Sequence, residues 1–363
     1  MRVRRALLFL VIAALQFAVF EVALRVWGHS EAAPSFETLF VPDRAIGYRL
    51  RPNARTRYVT AEFDTQIVIN PQGVRDDQPI GPKPANERRI VVLGDSLVLS
   101  VQVDARQTFC RLLEARLNAG GGATRYRVIN AGVQGYGPIE ELLFFREIVR
   151  AFEPDLVIET IFVGNDAEDA FGSQGRLAGT SRATSDAVSD SIVARLRRTV
   201  RRSLVLQVLR LRVVSVTDRM SNWRSPPEPP LQTYAERPAA RIGEGLRLSV
   251  DCVRQIANDA AASGARTMVM LMPARFQVDD ADYGRLKDIV AGAGGSLLRD
   301  AATARFADAL RPLGLPEFDA LPALRASLPG PDVFFQQTVH LTPRGHEIVA
   351  VALERFLRGQ GLL

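Results

Sequence analysis

Ile90-Val91-Val92-Leu93-Gly94-Asp95-Ser96 reads as a buried strand that turns sharply into a helix. Four apolar residues in a row, closed by a glycine, suit a strand covered on both faces, as in a parallel sheet. The pattern recurs down the chain. Tyr126 to Ile129 is a second strand ending at Asn130-Ala131-Gly132, and Asp155 to Val163 a third ending at Gly164-Asn165-Asp166. Thr267 to Met272 is a fourth, and the stretch near Pro316 to Ala320 holds a further short one. Helical patterns alternate with them at Thr108 to Asn118, Ile139 to Phe152, Gly243 to Ala262, Asp280 to Ala291 and Pro343 to about Leu357. Strands alternating with helices give an α/β protein with a parallel sheet covered on both faces. In such sheets the crevice that binds ligands lies beyond the carboxyl ends of the strands. The residues that end each strand are therefore the first candidates for chemistry.

Ser96 sits where the first strand turns into its helix, a place that presents a hydroxyl to the crevice. Serine and aspartate also cap helices routinely, so Gly94-Asp95-Ser96 alone decides little. The later strand ends add to it. Gly132 lacks a side chain, which lets a backbone N–H approach a ligand. Asn165 carries an amide that can donate into the same crevice. The N–H groups of Ser96 and Gly132 with the Asn165 side chain are the parts of an oxyanion hole, each well-aimed donor being worth about 10²–10³ in rate. Thr338-Val339-His340-Leu341-Thr342-Pro343 precedes the last helix and can bring an imidazole back to Ser96 as general base.

The ordered set Gly94-Asp95-Ser96, Gly132, Gly164-Asn165-Asp166 and His340 resembles the four signature blocks of the SGNH (GDSL-like) hydrolase superfamily. His340-Leu341-Thr342-Pro343-Arg344-Gly345-His346 is especially similar to the last block. The likeness covers about residues 88–170 and 245–358. It implies a three-layer α/β/α sandwich with a flavodoxin-like sheet, Ser96 as nucleophile, His340 as base, and Gly132 and Asn165 completing the oxyanion hole. It implies no cofactor and no metal. One position departs: the family places an aspartate three residues before the histidine, and here stands Gln337. A glutamine carbonyl can hold the imidazole tautomer but cannot stabilise imidazolium as a carboxylate does. Gln337, Asp332 from a neighbouring turn, or a backbone carbonyl are the alternatives for the third role. Asp95 and Asp166 read as residues that hold their turns, and His346 as packing or capping.

The amino terminus suggests a membrane. Met1-Arg2-Val3-Arg4-Arg5 is basic, Ala6 to Phe20 is uncharged and mostly apolar, and the run continues past Glu21 and Arg25 to Trp27. That length is about the ~20 residues that span a bilayer, and arginines on its near side place the rest of the chain outside the cytoplasm. Residues 1–30 are thus expected to be a transmembrane anchor or, with Ser30-Glu31-Ala32 as cleavage site, a signal peptide. Single-pass attachment to the inner membrane, with the remainder on the periplasmic or extracellular side, is the expected localisation. Residues 31–87 read as a strand-and-loop leader, with β-favouring Tyr58-Val59 and Ile67 to Ile69 and a linker at Gly81 to Asn86. Residues 88–363 read as the catalytic domain, with an insertion at about 170–240. Within it Gly172 to Ser191 is loop-like, Ile192 to Val216 is apolar and arginine-rich, a solvated helix face or alternatively a basic amphipathic helix resting on membrane or anionic glycan, and Ser225 to Pro230 is proline-rich. Gly47-Tyr48-Arg49-Leu50-Arg51-Pro52-Asn53 and Ile69-Asn70-Pro71-Gln72-Gly73-Val74-Arg75-Asp76 resemble the leader of membrane-anchored bacterial members of the superfamily. Some of those add acyl groups to secreted polysaccharides or remove them.

A net charge of +6 invites a nucleic-acid partner, but only two of 46 basic residues, Lys83 and Lys287, are lysines. That skew is what a GC-rich coding sequence produces, and nucleic acid is set aside. Cys110 and Cys252 are too few for a disulfide framework and read as small buried residues. The expected function is hydrolysis or transfer of an acyl ester through an acyl-serine, on an ester or glycan substrate of the envelope. The alternative is a lapsed scaffold of the same fold that binds glycan or a membrane partner, with Gln337 as its first sign.

Overall fold

The computed structural model describes residues 2–26, 36–60, 62–177, 205, 231–328 and 332–363. The arginine-rich and proline-rich readings between 178 and 230 lie outside the described residues, apart from Val205.

Five strands form one sheet: β5 (Glu87–Gly94), β6 (Arg125–Gly132), β7 (Leu156–Phe162), β8 (Arg266–Met272) and β9 (Glu317–Asp319). Their order is β6-β5-β7-β8-β9, and every neighbouring pair is parallel. This doubly wound order puts the switch point at β5 and β7, beside the end of the strand that carries Ser96. Alternate residues of β5, β6 and β7 feed two cores, whereas Met268 to Met272 of β8 all join the first. Ile90, Val92, Val128, Ile158 and Met270 face the helices Phe109–Asn118, Ala301–Leu310 and Pro343–Gly359. Val91, Leu93, Ile129 and Val157 face Pro138–Glu147 and much of Ala240–Ala262. Period-two alternation with both sets apolar is what makes the strands read as unbroken hydrophobic runs.

Four shorter strands precede the sheet. β1 (Phe40–Asp43) pairs antiparallel with β2 (Gly47–Leu50), and β3 (Arg55–Val59) with β4 (Asp64–Val68). Leu50, Ile67, Ile69 and Val74 of this leader lie in the same buried cluster as Val91, Leu93 and Ile129. The stretch expected to link the two is itself tied down. The buried Arg89 guanidinium donates to Gly81 O at 2.8 Å, and Lys83 Nζ pairs with Asp155 at 2.6 Å.

Arg2–Val26 forms one helix of 25 residues. It does not support the span expected from the sequence: among the described residues no helix is long and apolar enough to cross a membrane. Glu21 and Arg25 interrupt the run, and Trp27, which would close it, lies outside the described residues. Cys110 and Cys252 are both buried and unpaired.

Candidate active site

The ends of β5, β6 and β7 meet the loop before the last helix. Gly94 adopts φ +154°, and a Cβ there would stand 2.4 Å from Val98 Cγ2. The chain can therefore turn at once into the Ser96–Leu99 helical turn. Asp95 caps that turn, its Oδ1 accepting from Leu97 N at 2.8 Å. Ser96 is left half-buried with its hydroxyl 2.9 Å from His340 Nε2. A serine hydroxyl and an imidazole 244 residues apart in sequence are thus in hydrogen-bond contact.

His340 sits in a loop that folds back on itself: Phe335 N donates to His340 O at 2.9 Å and Thr342 N to Val333 O at 3.0 Å. Its Nδ1 is buried and has no hydrogen-bond partner among the described residues. None of the three expected orienters reaches it. Gln337 N donates to Glu62 Oε2 at 2.9 Å, and the carboxylate of Asp332 accepts from Gln336 Nε2 at 2.7 Å. Burial pushes the His340 pKa down to about 4, so the ring is neutral at pH 7. In the tautomer with its proton on Nδ1, Nε2 accepts from the serine hydroxyl.

The Gly132 N–H does not point into the crevice as the sequence suggests. It donates instead to Asn130 Oδ1 at 3.1 Å, while Asn130 Nδ2 donates to Val98 O at 2.6 Å. A Cβ on Gly132 would meet Leu99 N at 2.3 Å and Val98 C at 2.7 Å. The glycine is there because the serine turn packs directly on the strand end, and Asn130 staples the two together. The loop beyond offers another candidate. Gly135 holds φ +76°, and its N–H makes no hydrogen bond among the described residues. The same loop abuts the helix Asp166–Leu177 that follows β7, since a Cβ on Gly137 would stand 2.9 Å from Asp169 Cβ.

Asn165 is half-buried, and its Nδ2 donates to Asp169 Oδ2 at 2.7 Å. One amide hydrogen is left for another acceptor. Asp166, fully buried, accepts from Phe162 N at 2.8 Å and so closes the turn that presents Asn165. His346 packs rather than reacts: its Nδ1 accepts from Phe109 N at 3.2 Å and its ring stacks on Phe109.

Beneath the strand ends lies a set of buried acids that no sequence motif singles out. Glu159 on β7 and Glu141 on the facing helix are 0% and 1% exposed and have no donor among the described residues. Burial pushes Glu159 up to about 7, and burial with the nearby Glu159 charge raises Glu141 further. Asp95 is pushed up to about 7 by burial, with Asp169 adding, and Asp169 to about 6. Two facing carboxyls without a cation hold a proton between them. Native carboxyls that keep protons lost by the unfolded chain make stability fall as pH rises toward and through 7. His340, and His346 at about 3, act oppositely, but their contribution is complete above 6.5. Urea midpoints are expected to decline between pH 6.5 and 8.5, by about 1 kcal/mol for each group titrating near 7. Glu159→Gln should flatten that decline, and an equal slope in the variant would locate the effect elsewhere.

Residues 233–363 match a family model described as "SGNH hydrolase-like domain, acetyltransferase AlgX". No curated protein matches the chain. Among solved structures it is similar to TesA, at 13% identity over 75% of this chain and 99% of that one, with a TM-score of 0.42. It is also similar to a catalytic mutant of the acetylxylan esterase Axe2 from Geobacillus stearothermophilus (14% identity, 74% and 94% covered, TM-score 0.40). A third is a lipase/acylhydrolase from Enterococcus faecalis (16% identity, 75% and 96% covered, TM-score 0.41).

Proposed function

We propose that this chain, whose residues 233–363 match the SGNH hydrolase-like family model, is an ester hydrolase or acyltransferase that works through an acyl-Ser96 intermediate. The 2.9 Å contact between Ser96 Oγ and His340 Nε2 carries the reading. In the first half-reaction His340 takes the hydroxyl proton as Oγ bonds to the ester carbonyl carbon, whose oxygen becomes an oxyanion. Collapse breaks the bond to the alcohol, and His340 hands that oxygen the proton. In the second half-reaction water or an acceptor hydroxyl gives its proton to His340 and attacks the acyl carbon, and collapse breaks the bond to Oγ, which takes the proton back from His340 and restores Ser96. The amide of Asn165 and the N–H of Ser96 are the proposed oxyanion donors. With the Gly132 N–H engaged by Asn130, the N–H of Gly135 is the third.

The acetyltransferase in the matched family's description favours transfer over hydrolysis. A hydroxyl of an exported or envelope polysaccharide is the proposed acceptor, on the strength of the leader's resemblance alone. The domain is proposed to lie outside the cytoplasm, on the basic start and apolar run of residues 2–26. One observation favours the lapsed-scaffold reading, the missing acceptor at His340 Nδ1.

A fluorophosphonate probe separates the two. Purified wild type is expected to be labelled and Ser96→Ala not, and a membrane-impermeant probe should label the full chain in spheroplasts. A folded wild type that stays unlabelled would favour the scaffold, and labelling only after lysis would put the domain on the cytoplasmic side.

A further inference from the structure

The leader touches three segments of the site: the His340 loop, the Ser96 turn and the Gly135 loop. β3 and β4 form a hairpin whose turn is set by Thr60 Oγ1, which accepts from Glu62 N at 3.1 Å and Phe63 N at 3.2 Å. That turn delivers Glu62 to the His340 loop, where its two carboxylate oxygens accept from Gln336 N at 2.7 Å and Gln337 N at 2.9 Å. Phe63 packs beside Phe335 with ring centroids 5.4 Å apart. Both bonds have an ionised acceptor and are the stronger for it. One of them falls on residue 337 itself, the position where the resembled family places an aspartate.

Farther on, Asn70 Oδ1 accepts from Gln72 N and Val74 N at 3.0 and 3.1 Å, and Gly73 at φ +82° turns the chain. Arg75 emerges from that turn and is only 4% exposed. Its guanidinium donates to Leu99 O at 2.8 Å, to Ser100 O, and to Val103 O at 2.6 Å. These are carbonyls at and just beyond the end of the Ser96 turn, which a four-residue helix leaves without intrahelical partners. Tyr48 supplies a third tie, donating to Gln134 O in the Gly135 loop at 2.8 Å. A buried cation and a carboxylate spent on backbone groups of loops, not on each other, bring no gain in core packing. Their product is a fixed geometry.

We infer that the leader is a positioning element of the active site: Glu62 sets the His340 loop against Ser96, and Arg75 sets the Ser96 turn against the crevice. The inference rests on the acyl-serine reading, and its test has an arm that does not. Hydrogen exchange and fluorophosphonate labelling rates are measured on the full chain for wild type, Glu62→Gln, Glu62→Asp and Arg75→Lys. Glutamine keeps the shape of Glu62 but can accept only one of the two bonds. Glu62→Gln is expected to raise amide exchange in peptides covering 333–342 and to leave 97–103 unchanged. It should also slow labelling about 10–100-fold at an unchanged melting temperature, with part of the rate recovered in Glu62→Asp. Arg75→Lys should raise exchange in 97–103 but not in 333–342. Unchanged labelling in Glu62→Gln overturns the inference, as does exchange that rises equally in β5 and β7. Should wild-type Ser96 not react at all, the acyl-serine reading fails, and local exchange alone then decides whether the leader holds these loops.

Discussion

Replacing His340 by alanine is expected to slow ester cleavage by about 10⁴–10⁶ while leaving the fold intact. The ring is half-buried at the mouth of the site, and its Nε2 is the group in contact with Ser96 Oγ. Without it, the serine hydroxyl loses its hydrogen-bond partner among the described residues. The same ring sets the pH dependence. Because burial holds His340 near 4 rather than 6.5, its base form is fully populated from pH 8 down to about pH 5. The acidic limb of kcat/KM for an activated ester should therefore lie well below 6.5. A limb close to 6.5 would mean that an acceptor or water already reaches Nδ1 in the free enzyme and stabilises the imidazolium, whereas an acceptor that arrives with substrate would move the limb of kcat instead. A base of such low pKa is a weak one, so moderate turnover is expected even from the intact site, since loss of the triad acid alone can cost as much as ~10⁴.

Gly132→Ala is expected to have the next largest effect, by a different route. The new methyl would stand 2.3 Å from Leu99 N and 2.7 Å from Val98 C, which are backbone atoms with no rotamer to yield. Either β6 or the Ser96 turn must shift. Overpacking of this kind costs about 1–3 kcal/mol and sometimes more. The turn is held from its other side by Arg75, so the strain is directed at the serine. A shift of about 1 Å there is enough to cost ~10² in rate. Urea melts and kcat/KM on the same sample check both. A variant that loses stability but keeps its rate would show that β6 gives way instead of the turn.

Much of the sheet is legible in the sequence because its strands are apolar on both faces and end in glycine or asparagine. The pattern places β7, β8 and the last helix to within a residue or two. It misses Ala301–Leu310, whose alanines carry little hydrophobic contrast although Ala302, Phe306 and Leu310 do line one face. It misses the hairpin of β1 and β2, whose four-residue strands are too short for a period to declare itself. Ser96 and His340 are legible because each stands at a strand or helix boundary within a short motif. The Gly132 N–H is misjudged for want of Asn130, a polar residue in a buried strand that claims it. Glu62 and Arg75 cannot be found that way. Their partners are main-chain atoms 274 and 24 or more residues distant, and backbone partners leave no mark in a sequence.

Ser96 and His340 are separated by 244 residues. At typical synthesis rates of 5–20 residues per second, the serine leaves the ribosome roughly 12–50 s before its base exists. Through that interval its oxygen is an ordinary alcohol. Messages cut short, stalled ribosomes and proteolytic fragments ending before residue 340 all release a serine without its base. Reactivity is thus a property of finished molecules, and the site's last component to be made acts as its own quality check.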